Sequence, residues 1–178
     1  FSLRWYEDIF RNGMAAPDEQ LSWAWFSDSW NNSQWMRAIR NSFFIGICAT
    51  LLSTALGTLA AIGLSRSEMP YRRMIMSILI SPMIVPLVIT AAGMFFFYSR
   101  IHLSQTYIGV IMAHAVLGTP FVIITVTATL AGFDKSLIRA ANSLGAGPIT
   151  TFRRVQMPLI IPGVVSGGLF AFITSFDE

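Results

Sequence analysis

Few side chains in this chain of 178 residues are equipped for chemistry, and their spacing limits what they can do. Asp177 and Glu178 are adjacent carboxylates after an apolar run. Neighbours on a helix point about 100° apart, so the two cannot grip one reacting group together. His102 falls in a short loop and His114 inside an apolar run, neither with a second ligand at metal-binding spacing, which points to packing or hydrogen bonding. Cys48 is the single cysteine, so there is neither a disulfide framework nor a paired-cysteine metal site. The chain has no GxxxxGK phosphate loop, no HExxH helix and no GxSxG elbow. Nucleotide hydrolysis, zinc proteolysis and serine hydrolysis therefore have no carrier here, and no metal or cofactor site is indicated. What remains for the acids is charge: a carboxylate placed within a membrane attracts a cation or a proton.

The longest polar interruption is residues 134–163, DKSLIRAANSLGAGPITTFRRVQMPLIIPG. Asp134 suits the cap of a short helix whose apolar positions Leu137, Ile138, Ala141 and Leu144 recur at three- and four-residue steps. Gly145 suits a left-handed close, and Pro148 the first turn of a second helix that Met157, preceding Pro158, is expected to end. Two helices around a small-residue elbow make a knuckle. Lys135, Arg139, Arg153 and Arg154 decorate it, so its polar side faces water or protein, not lipid.

The elements that must position this knuckle are membrane spans. Hydrophobic residues make up 54% of the chain and charged ones only 12%, far from a soluble composition. Residues 41–65, 74–99, 101–133 and 155–176 are free of Asp, Glu, Lys and Arg. Each run is long enough for a helix of about 20 residues to cross the hydrocarbon core. The expected spans are 39–64, 74–98, 108–131 and 160–178, the last incomplete. In the first, Ala49, Ser53, Gly57, Ala61 and Ser65 recur every four residues; in the last, Gly163, Gly167, Ala171 and Ser175 do the same. Such ladders let helix backbones approach closely in lipid. Pro82 and Pro86 should kink or break the second span, and Pro120, after Gly118 and Thr119, marks a second hinge.

Charge sets the orientation. Arg66, Arg72, Arg73, Lys135, Arg139, Arg153 and Arg154 lie on one side; Arg4, Arg11, Arg37, Arg40 and Arg100 lie on the other, which also holds the long segment 1–38. The denser side, with the knuckle, is expected in the cytoplasm and residues 1–38 outside. That segment is rich in aromatics, including Trp5, Tyr6, Phe10, Trp23, Phe26, Trp30 and Trp35. Phe1, Trp5, Tyr6 and Phe10 can share one face of a short helix at the headgroup level, broken by residues 13–17; a small folded cap over a pore mouth or against a partner is the alternative. Asn31, Asn32 and Ser33 offer N-caps for the first span. The net charge of +3, without a basic stripe, gives no sign of a nucleic-acid partner.

Ala140, Ala141, Gly145, Val155, Met157 and Pro158 stand at the spacing of the EAA loop, and through them the chain resembles the membrane permeases of binding-protein-dependent ABC importers. Val155 and Met157 replace the family's Ile and Leu, and Arg139 stands in place of its Glu. Further likeness to spermidine/putrescine-type permeases runs through the NSFFIGICATLLSTALGTLAAIGLSR stretch, the SPMIVP doublet and the closing FAFITSFDE, with residues 10–35 as an insertion. The resemblance implies an all-α polytopic transmembrane bundle of the type I importer permease fold, here lacking a helix at each end. It implies a coupling loop at 134–158 in which Arg139, Ala140, Ala141, Asn142, Ser143, Leu144, Gly145, Ala146 and Pro158 meet a cytoplasmic ABC ATPase, the subunit that binds ATP and magnesium. A second permease subunit and an extracytoplasmic binding protein complete the implied assembly, in the inner membrane of a bacterium.

Three functional expectations follow. The first is an importer permease for a small solute, a polyamine or other cation if Asp177 and Glu178 line its path; iron, thiamine and opine importers share the architecture. The second is a secondary carrier using those acids. The third is an assembly subunit without a pore. Only the first accounts for the spacing within 134–158.

Overall fold

The computed structural model describes residues 3–14, 20–66, 68–134 and 136–177; Phe1, Pro17, Lys135 and Glu178, which carried expectations above, lie outside them. The regular structure of the described residues is helical, in two compact units, Phe1–Ile45 and Gly46–Glu178.

In the first unit, α1 (Arg4–Arg11) and α2 (Trp23–Asn32) are tied to each other and to the start of α3 (Gln34–Leu64). The Ser22 hydroxyl caps α2 by accepting the Trp25 N–H at 3.1 Å. Ser29 Oγ donates to the Phe10 carbonyl at 2.9 Å, Ser33 Oγ to that of Ile9 at 2.8 Å, and the Gln34 N–H to that of Asn12 at 2.8 Å. These bonds satisfy carbonyls at the end of α1 that its own helix leaves open. They also revise one expectation: Ser33 precedes α3, but its buried hydroxyl serves α1 and does not cap the span.

The second unit holds the rest of α3, then α4 (Arg72–Ile84), α5 (Leu87–Arg100), α6 (Tyr107–Ala131), α7 (Ser136–Ser143), α8 (Pro148–Thr151) and α9 (Met157–Asp177). Its centre is made of small residues. Ala49, Ser53, Gly57 and Ala61 of α3 are buried, as are Gly163, Gly167, Ala171 and Ser175 of α9. Both ladders close on α6: a Cβ built on Gly57 would stand 2.7 Å from that of Val122, and one on Gly167 would stand 2.7 Å from the Val122 Cα. Ala61, Val122, Val126 and Ala171 form the buried cluster. Between helices in lipid, this close van der Waals packing is the main attraction available. Ser53 Oγ is shared between the carbonyls of Ala49 at 2.7 Å and Ala115 at 3.1 Å, so its polarity is satisfied at the seam.

These contacts fix chain direction. Ser53 meets Ala115 and Gly57 meets Val122, so α3 and α6 run parallel; Gly118 meets Ala171 and Thr129 meets Gly163, so α9 runs antiparallel to α6. Parallel neighbours require the chain between them to return across the bundle. The segment that does so is α4 and α5, two halves bent by 100° at Val85 and Pro86. Neither half, at 13 and 14 residues, is long enough to cross alone. Together they make a broken span, with Pro82 inside α4 and Pro86 at the N-cap of α5. In contrast, α6 continues without interruption through Pro120, which is buried.

The fourth span differs from expectation. The helix opening at Pro148 does not stop at Met157: α8 passes through a π-helical turn at Phe152–Gln156 into α9, giving one helical element from Pro148 to Asp177. In an α-helix the Pro158 ring would collide with the carbonyl four residues back. Here the Met157 N–H bonds to the Phe152 carbonyl, five back, and the wider turn admits the proline. At 30 residues the element is about 45 Å long, enough to cross the core.

Candidate functional site

The knuckle is built from local rules. Asp134 accepts the backbone N–H of Ser136 at 2.8 Å and the Ser136 hydroxyl, capping the first turn of α7. Those two bonds, the hydroxyl's first, and then the nearby Arg139 guanidinium hold the Asp134 carboxyl below its ordinary range. The helix ends after Ser143 in a six-residue closure. The Ala146 N–H bonds to the Ala141 carbonyl and the Gly145 N–H to that of Asn142, both at 3.0 Å. This Schellman pattern needs a left-handed residue at Gly145, where φ is +77°. Gly147 and Pro148 then open α8, and Thr151, buried, reaches Asn142 Oδ1 at 3.3 Å across the elbow.

Placement within the knuckle divides the residues of the coupling loop. Ile138, Ala141 and Ala146 are half-buried; Arg139, Ala140, Asn142, Ser143 and Gly145 are exposed, as is Pro158 in the first turn of α9. Leu144 departs from the apolar stripe expected for it. Because α7 stops at Ser143, Leu144 swings out to 88% exposure, and Ile149 follows at 75%. With Arg139, Arg153 and Arg154 around them, the knuckle presents two apolar tips in a cationic field, a surface suited to a protein partner. Ile62 and Arg66 at the end of α3 line a cavity of about 400 Å³ with Ile138, Asn142, Ile149 and Phe152, so the knuckle sits at the end of the bundle where α3 and α6 finish. The π turn and the exposed Leu144 have no clear sequence signal beyond Pro158 and Gly145.

At the opposite end, His114 Nδ1 lies 2.8 Å from the Ser175 hydroxyl and 3.1 Å from its carbonyl, joining α6 to α9. A carbonyl only accepts, so this contact is a hydrogen bond when Nδ1 carries the proton. His114 also borders a cavity of about 730 Å³ between α5 and α6, lined mainly by apolar groups such as Leu87, Met94, Phe95 and Leu117 with Thr90 and Gln105. Asp177 is exposed at the end of α9 and is not among the residues lining it. The apolar run leading to Asp177 begins at Val155, 22 residues earlier, so the carboxylate stands about 33 Å along the helix from the start of that run.

Residues 53–178 match the family described as binding-protein-dependent transport system inner membrane component. The chain is similar to the spermidine/putrescine transport system permease protein of Haemophilus influenzae, 31% identical over 158 residues, 89% of this chain and 62% of that one. The putrescine transport system permease protein of Escherichia coli is 28% identical over 165 residues, 86% of this chain and 57% of its own. The sulfoquinovosyl glycerol transport system permease protein of Agrobacterium fabrum is 29% identical over 138 residues, 78% and 48%. The chain thus spans 62% or less of the length of these relatives.

Proposed function

Because the chain belongs to the family of inner-membrane components of binding-protein-dependent transport systems, we propose that it is a permease subunit of an ATP-driven importer. In this reading the bundle of α3, the broken span, α6 and α9 forms one wall of a solute path, and a second permease subunit forms the other. The knuckle docks into a separate cytoplasmic ATPase, which holds ATP and magnesium, and a binding protein on the other side delivers the solute. The knuckle side is then cytoplasmic, in keeping with its denser positive charge. Relatives named for spermidine and putrescine favour a polyamine or another small cation as solute.

One observation carries the proposal: an elbow with exposed apolar tips and arginines is helically continuous with a span. A displacement imposed at the knuckle reaches the membrane without crossing a flexible joint. A carrier built on Asp177 would need that carboxylate within the core; in this reading it lies at the boundary, about 33 Å from the start of its apolar run.

The elbow provides the test. Gly145→Val places a β-branched residue at positive φ, costing at least about 1–2 kcal/mol, while the space around the position is open, so the effect acts through the backbone. Gly147, with φ −70° and equally open surroundings, is the control. Gly145→Val is expected to abolish co-purification of the ATPase while membrane insertion persists, and Gly147→Ala to preserve both. Undiminished docking by Gly145→Val would refute the elbow's role.

A further inference from the structure

We propose that the outer face of α2 is a membrane-interface foot, seated among lipid headgroups where the chain enters the bilayer. Trp23, Phe26 and Trp30 recur at three- and four-residue steps along one side of α2 and are 84%, 53% and 48% exposed. Trp23 and Phe26 stack with centroids 5.9 Å apart, and the three rings with Ser27 border a groove of about 360 Å³. Ser29, on the same helix, is buried and bonded to α1, so the inner side of α2 is already occupied and the aromatic stripe is the outer one.

The position of this stripe relative to the span identifies its occupant. Arg40 is the last charged residue before the apolar run of α3. Its Nη1 donates to the Trp30 carbonyl at 2.9 Å, and its guanidinium carbon lies 5.8 Å from the Trp30 ring centroid. Trp30 therefore stands within one arginine side chain of the level at which α3 becomes apolar, and that level is the headgroup layer. Arginine at a span's edge directs its head toward this layer, and tryptophan favours it because the ring is apolar while the indole N–H stays wet. A protein partner would be the better occupant for such a stripe held far from the span; the Arg40 bridge holds it near. The bonds from Ser29, Ser33 and Gln34 fasten α1 and α2 at the root of α3, so a foot resting on the surface fixes the depth at which α3 enters. This inference depends on α3 crossing a membrane and not on the importer reading or its solute.

The five tryptophans, at positions 5, 23, 25, 30 and 35, all precede the apolar run, so tryptophan fluorescence, excited selectively over tyrosine, reports on this region alone. The purified chain would be reconstituted into vesicles of phosphatidylethanolamine and phosphatidylglycerol carrying a nitroxide at the headgroup, high on the acyl chain, or near its methyl end. Headgroup and upper-chain labels are expected to quench emission roughly twofold more than the methyl-end label, in line with shallow burial of an interfacial helix. Iodide in the water should quench weakly, and replacing both Trp23→Phe and Trp30→Phe should remove about half of the lipid-dependent quenching while keeping the apolar shape. Strong iodide quenching with no effect of any lipid label would overturn the proposal. So would lipid quenching unchanged in the double variant, or protection from iodide that arises only when a second protein is added.

Discussion

Gly57 offers the sharpest check on the packing of the bundle. In Gly57→Ala the new Cβ would lie 2.7 Å from Val122 Cβ, 2.9 Å from its Cγ1 and 3.2 Å from the Thr119 carbonyl. Comfortable carbon contacts begin near 3.5 Å, so the shortfall is about 1 Å against a branched side chain and a helix backbone. Val122 is wholly buried and has no room to turn away, which leaves α3 and α6 to separate. Overpacking of this kind costs about 1–3 kcal/mol, a five- to 150-fold shift in an opening equilibrium. Gly63 is the internal control: it lies on the same helix, nothing stands within 4 Å of its would-be Cβ, and alanine improves helix propensity. Cys48, half-buried on α3 and the chain's single thiol, supplies the assay through its labelling rate across a denaturing-detergent titration. Gly57→Ala should open at markedly lower detergent than wild type, and Gly63→Ala should not. Equal midpoints for the two variants would refute the claim that the four-residue ladder is a contact surface.

Two further outcomes are expected beside those stated for Gly145 and for the aromatic foot. The folded value of Asp134 is depressed, so its contribution to the knuckle is complete above the ordinary carboxylate range and disappears as pH falls through that lowered value. Hydrogen exchange of the first amides of α7 should accelerate only in acid, and Asp134→Asn should abolish that acid dependence while its side-chain oxygen still caps; an unchanged acid profile in the variant would assign the effect elsewhere. Asp177→Asn should leave the ratio of cationic to neutral solute uptake within about twofold, since a boundary carboxylate interacts weakly through water. A selective loss of cation uptake of about tenfold, roughly 1.4 kcal/mol, would place the carboxylate in the path.

The features that could be read from sequence are those with a local physical cause. Ala49, Ser53, Gly57 and Ala61 announce a seam because their spacing repeats the helix turn and their size admits a neighbour. Gly145 announces an elbow because only an absent Cβ makes positive φ inexpensive. Pro158 misled because its usual effect, ending a helix, is set by the carbonyl four residues back, and a π turn changes which carbonyl that is. Leu144 misled because the stripe was extended one residue beyond the point where the Schellman closure takes over. The bonds that Ser29 and Ser33 make carried no signal: their partners, Phe10 and Ile9, are 19 and 24 residues distant and no periodicity links them.

In the importer reading proposed above, the unbroken course from Pro148 to Asp177 would work as a seesaw. The tightest seat along it is at Gly163 and Gly167, where side chains of α6 lie against the bare backbone and where rocking meets no Cβ. Measured from Gly167, the arm toward Pro148 is 19 residues, about 28 Å, and the arm toward Asp177 is 10 residues, about 15 Å. A push of about 3 Å at the elbow tilts such a beam by roughly 6° and moves the other tip by about half as much, in the opposite direction. On that reading the stroke would be geared down and its force correspondingly raised at the end where His114 and Ser175 meet.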